Sequence, residues 1–115
     1  MMDYKRGDIV LVNFNPQKQP LEVAKTRPAI IVSDSDLNQV LDLVTVVALT
    51  TNIIEESEPL RILIKKRKKL LQDSDAMVEQ LRSVAKVRIL ETLAKLSEVE
   101  LKKIEYGIKT MLNLS

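Results

Sequence analysis

Apolar positions come in short unbroken or alternating runs over most of the chain and change to helical spacing near its end. DIVLVNF, residues 8–14, is rich in β-branched residues, follows a plausible Arg6-Gly7 turn and predicts a first strand. The run AIIV at 29–32 is continuous, as in a strand covered on both faces, and RPAIIVS predicts a second strand opened by Pro28. LVTVVAL, residues 43–49, predicts a third, LRILI at 60–64 a fourth, and DAMVEQLR at 75–82 a fifth. An imperfect alternation in the fifth puts Ala76, Val78 and Gln80 on one face and Met77, Glu79 and Leu81 on the other. Between the second and third strands, SDSDLNQVLD favours turns and caps, with one helical turn over residues 36–40.

The tail follows a different period. Ser97 and Glu100 have the spacing of a capping box, and Leu101, Ile104, Ile108, Met111 and Leu112 then form one apolar stripe of a helix. Gly107 within it costs about 1 kcal/mol relative to alanine, a cost that a packed face can absorb and a close helix crossing would explain. VRILETLAK, residues 87–95, fits either period and is read as a short helix after the fifth strand. Loop Asn15 to Thr26 holds two prolines and no periodicity, as mobile functional loops often do. No repeat or linker divides the 115 residues, so residues 1–115 are expected to form one domain. The expected fold is mainly β with a C-terminal helix: a small SH3-like barrel of about five to seven short strands.

Composition narrows the chemistry. The chain has no cysteine and no histidine, which removes disulfides, thiolate zinc sites, cysteine nucleophiles and imidazole bases, and leaves carboxylates as the plausible metal ligands. No cofactor or metal site is expected. One Phe, two Tyr and no Trp leave little for aromatic stacking on nucleic acid, so electrostatics and hydrogen bonds would carry any such contact. The opening MMDYKRGDIV is charged where a signal peptide is apolar, and VTVVAL is far short of a membrane span, so a soluble cytoplasmic protein is expected.

Polar groups gather at the ends of the apolar strands: Arg27 before the second, Thr50-Thr51-Asn52 after the third, and Glu79, Gln80, Arg82 and Ser83 in and after the fifth. Pro28 fixes its own φ and holds Arg27 extended, so this guanidinium is aimed where a free surface arginine is not. Antiparallel pairing of the second and third strands would bring Arg27 beside Thr50. A forked guanidinium next to a hydroxyl suits a phosphate. Such a site can promote cleavage of RNA by its own 2′-hydroxyl, where the nucleophile is supplied by the substrate and the protein aligns it and stabilises phosphoryl charge. Glu79 is the ordinary candidate for proton transfer if it points inward. The bland alternatives are a snorkelling Arg27 and strand-end capping by Thr50 and Thr51. KKRKK at 65–69 reads equally as a phosphate-binding run or a solvated one, and Lys18 and Lys25 add charge in the long loop.

Four segments, RGDIVLVNFNP at 6–16, K-T-RPAIIVS at 25–33, VTVVALT at 44–50 and VEQLRSVAKVRI at 78–89, together resemble the MazF/PemK family of bacterial toxin endoribonucleases over nearly the whole chain. The resemblance implies a homodimer of SH3-like barrels that cleaves single-stranded mRNA at short sequences without metal, leaving a 2′,3′-cyclic phosphate and a 5′-hydroxyl. It also implies a small antitoxin whose extended tail occupies the RNA groove. By the same resemblance the catalytic arginine falls on Arg27 and the catalytic threonine on Thr50, with RNA contacts among Lys18, Lys25, Thr51, Asn52, Glu79, Gln80, Arg82 and Ser83. Glu79 stands where the family usually has aspartate, and Met77 where some members have arginine. Two alternatives remain at this level. One is a CcdB-like toxin that binds gyrase without chemistry, an activity served by a tryptophan near the C-terminus that this chain lacks. The other is a non-catalytic SH3-like interaction module.

Overall fold

The computed structural model describes residues 3–14 and 26–115. Valine and isoleucine dominate the strands, and successive side chains point to opposite faces, so the unbroken apolar runs cover two cores with one sheet. Its strands are β1 (Asp8–Asn13), β2 (Thr26–Ile31), β3 (Leu43–Thr50), β4 (Arg61–Ile64), β5 (Ser74–Ala85) and β6 (Ile89–Lys95). They pair antiparallel in the order β4-β5-β3-β2-β1-β6. Helix α1 (Ser35–Val40) bridges β2 and β3, and helix α2 (Glu98–Leu112) packs on β4 and β5.

Ile9, Ile30, Val47, Leu49, Ile62, Ala76 and Val78 face α2 and surround its fully buried Ile104. The alternate residues Val10, Val12, Ala29, Ile31, Val44, Val46 and Val84 form a second core with Ile89, flanked by Tyr4 and Phe14. The sheet is not closed by strand pairing, yet it curls far enough for its two edges to meet. Lys69 N, in the β4–β5 connection, donates to Leu93 O of β6 at 3.1 Å, and Arg67 donates to Lys95 O at 3.2 Å. This is the small barrel-like architecture expected, with six strands.

Four local expectations are corrected. Residues 87–95 are not a helix: after a 3-10 turn at Lys86–Arg88 they form β6, because β1 offers an unpaired edge and Ile89 and Ala94 can each enter a core. Tertiary pairing overrides the helical propensity of Leu, Glu and Ala there. In β5 the two expected faces do not hold across an irregularity: Val47 pairs with Leu81 and Leu49 with Ala76, so β5 spends extra residues opposite Ala48. Leu81 therefore packs on the same core as Ala76 and Val78. Gly107 meets no second helix; a Cβ there would run into the Pro59 carbonyl oxygen and the Val78 methyls. Leu112, placed on the apolar stripe, is exposed.

The helix start is as its sequence requires. Ser97 Oγ accepts from Glu100 N at 3.2 Å and Glu100 Oε1 accepts from Ser97 N at 2.9 Å. The same carboxylate takes both terminal nitrogens of Arg67 in a two-pronged pair at 2.6 and 2.5 Å. That pair, above all its hydrogen bond, holds the Glu100 carboxyl below the usual carboxylate range and the Arg67 guanidinium above its own.

Candidate active site

The curl leaves the second core open at one end, and there its apolar face gives way to polar side chains. Ala29 pairs with Ala48 across β2 and β3, and the same register carried two residues further sets Arg27 opposite Thr50. Arg27 also pairs with Val12 of β1. Alternation places Arg27 on the face of Ala29 and Ile31, and Thr50 on the face of Ala48 and Val46. On β5, Arg82 pairs with Val46, and the irregularity just before it brings Met77 and Gln80 toward the same opening.

The result is a cavity of about 280 Å³ lined by Phe14, Arg27, Ala48, Met77, Gln80 and Arg82. No carboxylate of the described residues lines it. Arg82 lies over the Phe14 ring, 5.0 Å from guanidinium carbon to centroid. Three larger clefts, of about 460, 520 and 480 Å³, lie elsewhere. The 520 Å³ one carries Glu55, Glu56, Glu58, Asp73 and Asp75, the wrong sign for a phosphate ligand. Charge, not size, singles out the Arg27 cavity.

Thr50 is half-buried and does not line the cavity itself. Its Oγ1 accepts from Asn52 N at 3.2 Å, so it does cap its strand end. A hydroxyl that accepts one bond retains its own hydrogen to donate. Beneath it Asp75, which pairs with Thr50 in the sheet and is 2% exposed, accepts from Ile54 N at 2.7 Å and fixes the chain leaving β3. Thr51 and Asn52 are exposed at that exit.

Other predicted residues go elsewhere. Glu79 does not point into the cavity; it pairs with Arg61 Nε at 2.8 Å. Ser83 pairs with Thr45, its hydroxyl 3.5 Å from that of Thr45, on the α2 side of the sheet. Both departures follow from the sheet: β4 supplies a cation beside Glu79, and the parity of β5 after its irregularity turns Ser83 from Arg82. Lys18 and Lys25 lie outside the described residues. In the KKRKK run Arg67 is bound to Glu100, Lys65 to Asp73 at 3.3 Å and Lys69 to Glu91 at 3.4 Å, so three of the five cations already have carboxylate partners. Sequence reading passed over Phe14 as a site residue, although it is the single phenylalanine of the chain and sits at the open end of the first strand.

Residues 5–112 match the family described as PemK-like, MazF-like toxin of type II toxin-antitoxin system. The endoribonuclease MazF of Staphylococcus epidermidis is 32% identical over 112 residues, covering 96% of this chain and 92% of that protein. The endoribonuclease MazF of Staphylococcus saprophyticus is 33% identical over 111 residues, with the same coverage of 96% and 92%. Among solved structures, a MazE–MazF crystal structure from Deinococcus radiodurans superposes with a TM-score of 0.81 at 21% identity, covering 99% of this chain and 100% of that one, a likeness of fold.

Proposed function

The chain belongs to the PemK-like, MazF-like toxins of type II toxin-antitoxin systems, a family of endoribonucleases, and on that premise we propose that it cleaves single-stranded mRNA at short sequences through the substrate's own 2′-hydroxyl. The 2′-oxygen loses its proton and attacks the adjacent phosphorus; the bond from phosphorus to the 5′-oxygen breaks, and the departing oxygen takes up a proton. The products are a 2′,3′-cyclic phosphate and a 5′-hydroxyl. Arg27 binds two phosphoryl oxygens through its planar fork and stabilises the charge that grows on them. Thr50 donates its hydroxyl hydrogen to the same phosphate, its oxygen being steadied by Asn52 N. Gln80 and Arg82 contact the RNA beside it from the cavity wall, and Thr51, Asn52, Lys18 and Lys25 extend that contact.

One observation carries this reading. Arg27 lines a cavity to which no carboxylate of the described residues contributes, and Thr50 ends the antiparallel neighbour strand on the same sheet face, so the Arg27 charge is available to a phosphate. Because Glu79 is committed to Arg61, it is not assigned as the base. The reading includes a homodimer, a cytoplasmic location and a cognate antitoxin, the last in line with the MazE–MazF assembly of the Deinococcus relative.

The test is a mixed-sequence single-stranded RNA incubated in EDTA with wild type, Arg27→Ala and Thr50→Ala. Sequence-dependent cuts that survive chelation are expected. Each substitution is expected to slow them by about 10²- to 10³-fold, the range for loss of one charge-stabilising donor. An RNA left intact by wild type at every concentration overturns the ribonuclease reading.

A further inference from the structure

Among the described residues, Arg6, Arg27, Arg61, Arg67 and Arg82 are used in two ways, while Arg88 donates to the Asn13 carbonyl oxygen. Arg6, Arg61 and Arg67 each pair with a carboxylate, Glu105, Glu79 and Glu100 in turn. Arg27 and Arg82 have no carboxylate partner among the described residues, and these two line the same cavity. Arg82 is instead laid on Phe14, half-buried at the end of β1. The two modes differ chemically. An ion pair occupies the N–H edge of a guanidinium, whereas an aromatic ring attracts its face and leaves all five in-plane donors free. Stacking also fixes a long side chain that would otherwise lose rotamer freedom when a ligand arrives.

We propose that Phe14 is a positioning residue for RNA binding: it holds Arg82 flat with its donor edge free, so that Arg82 and Arg27 together grip the sugar-phosphate backbone at the cavity. This deepens the ribonuclease reading and rests on it for the identity of the natural ligand. It explains the placement of the single phenylalanine at the wall of the cavity where a second arginine, with no carboxylate partner among the described residues, needs support. A glutamate on β1 at that position would hold Arg82 as firmly but would cancel its charge and consume the edge that meets the phosphate.

The experiment uses a short mixed-sequence single-stranded DNA, which offers phosphodiesters but no 2′-hydroxyl to be attacked, as a binding probe, beside the RNA cleavage assay. Phe14→Leu is expected to weaken DNA binding about two- to fivefold, the range for an exposed cation–π contact. Phe14→Tyr, which keeps the ring face, is expected to bind as wild type, and Phe14→Leu added to Arg82→Ala is expected to change nothing further. Arg82→Ala alone is expected to lower the slope of log affinity against log salt by about 0.7, one phosphate contact on a single strand. In the free protein the Arg82 Nε–Hε resonance is expected to carry a ring-current shift that Phe14→Leu abolishes, a readout independent of any activity.

Additive effects of the two substitutions, a Phe14→Tyr variant as weak as Phe14→Leu, or a Phe14→Leu variant that binds normally would each overturn the proposal. If wild type leaves RNA intact while DNA binding follows the expected pattern, the ribonuclease reading fails and the Phe14–Arg82 grip stands. If RNA is cut at unchanged rate by Phe14→Leu and Arg82→Ala alike, the grip fails and the ribonuclease stands.

Discussion

Arg61 Nε donates to Glu79 Oε1 at 2.8 Å across β4 and β5, and the carboxylate held this way lines no part of the Arg27 cavity. A general base would leave its mark on the acid side of the pH–rate profile. Glu79→Gln is therefore expected to keep that limb unchanged and to leave cleavage within about fivefold of wild type, the loss of a partly exposed pair being worth ~1 kcal/mol or less. A rate that becomes insensitive to pH in the variant would restore Glu79 to the chemistry.

Asp75 ties the site to the loop that follows it. Its buried carboxylate accepts the Ile54 N–H directly below Thr50. Asp75→Ala leaves that N–H without its acceptor and is expected to cost about 1–3 kcal/mol, seen in urea unfolding. RNA cleavage is expected to fall with it, because the chain leaving Thr50 is freed. Asp75→Asn keeps an acceptor and is expected to recover most of both.

Glu100 gives the fold an acid-sensitive joint. Its folded-state pKa lies below the usual carboxylate range through Arg67, so the stability it contributes is full above that range and is lost as pH falls through the lowered value. Glu100→Gln, which can still complete the capping box through its amide oxygen, is expected to cost about 1–2 kcal/mol at neutral pH from loss of the two-pronged Arg67 pair. The urea midpoints of wild type and variant are expected to converge as the pH drops below the folded-state pKa. A difference that persists unchanged to low pH would show that the ionised carboxylate is not the source.

Gly107 is a test of packing against propensity. Alanine gains about 1 kcal/mol as a helix former. At this position its Cβ collides with the Pro59 carbonyl oxygen, a backbone atom that cannot swing aside, and with Val78. Gly107→Ala is expected to lower the thermal midpoint, with a net loss of about 1–3 kcal/mol from overpacking.

The strands that build the two cores were legible because their residues answer to local rules. Unbroken Val and Ile runs fit only a strand covered on both faces, and the Ser97–Glu100 spacing satisfies orphan N–H groups at a helix start. The antiparallel neighbourhood of β2 and β3, from which Arg27 and Thr50 were expected together, was legible because such pairing of consecutive strands is the default and the apolar faces must coincide. Residues 87–95 were not, since their pattern suits both periods and the free edge of β1 decides between them. The face of Gln80 and Ser83 was not legible either: a strand irregularity inverts parity, and no residue between Met77 and Gln80 announces one.

By itself, the sequence determined the first five strands and the terminal helix, and it removed imidazole and thiol from the available chemistry. Only the tertiary structure decided which cations are free. Pro28 marks Arg27 along the chain, but Arg61 and Arg67 look no different there from Arg82, yet those two meet carboxylates delivered by β5 and α2 while Arg27 and Arg82 meet none among the described residues. Charge pairing depends on distances across the sheet that residues far apart in sequence set together, and that is where the site is made.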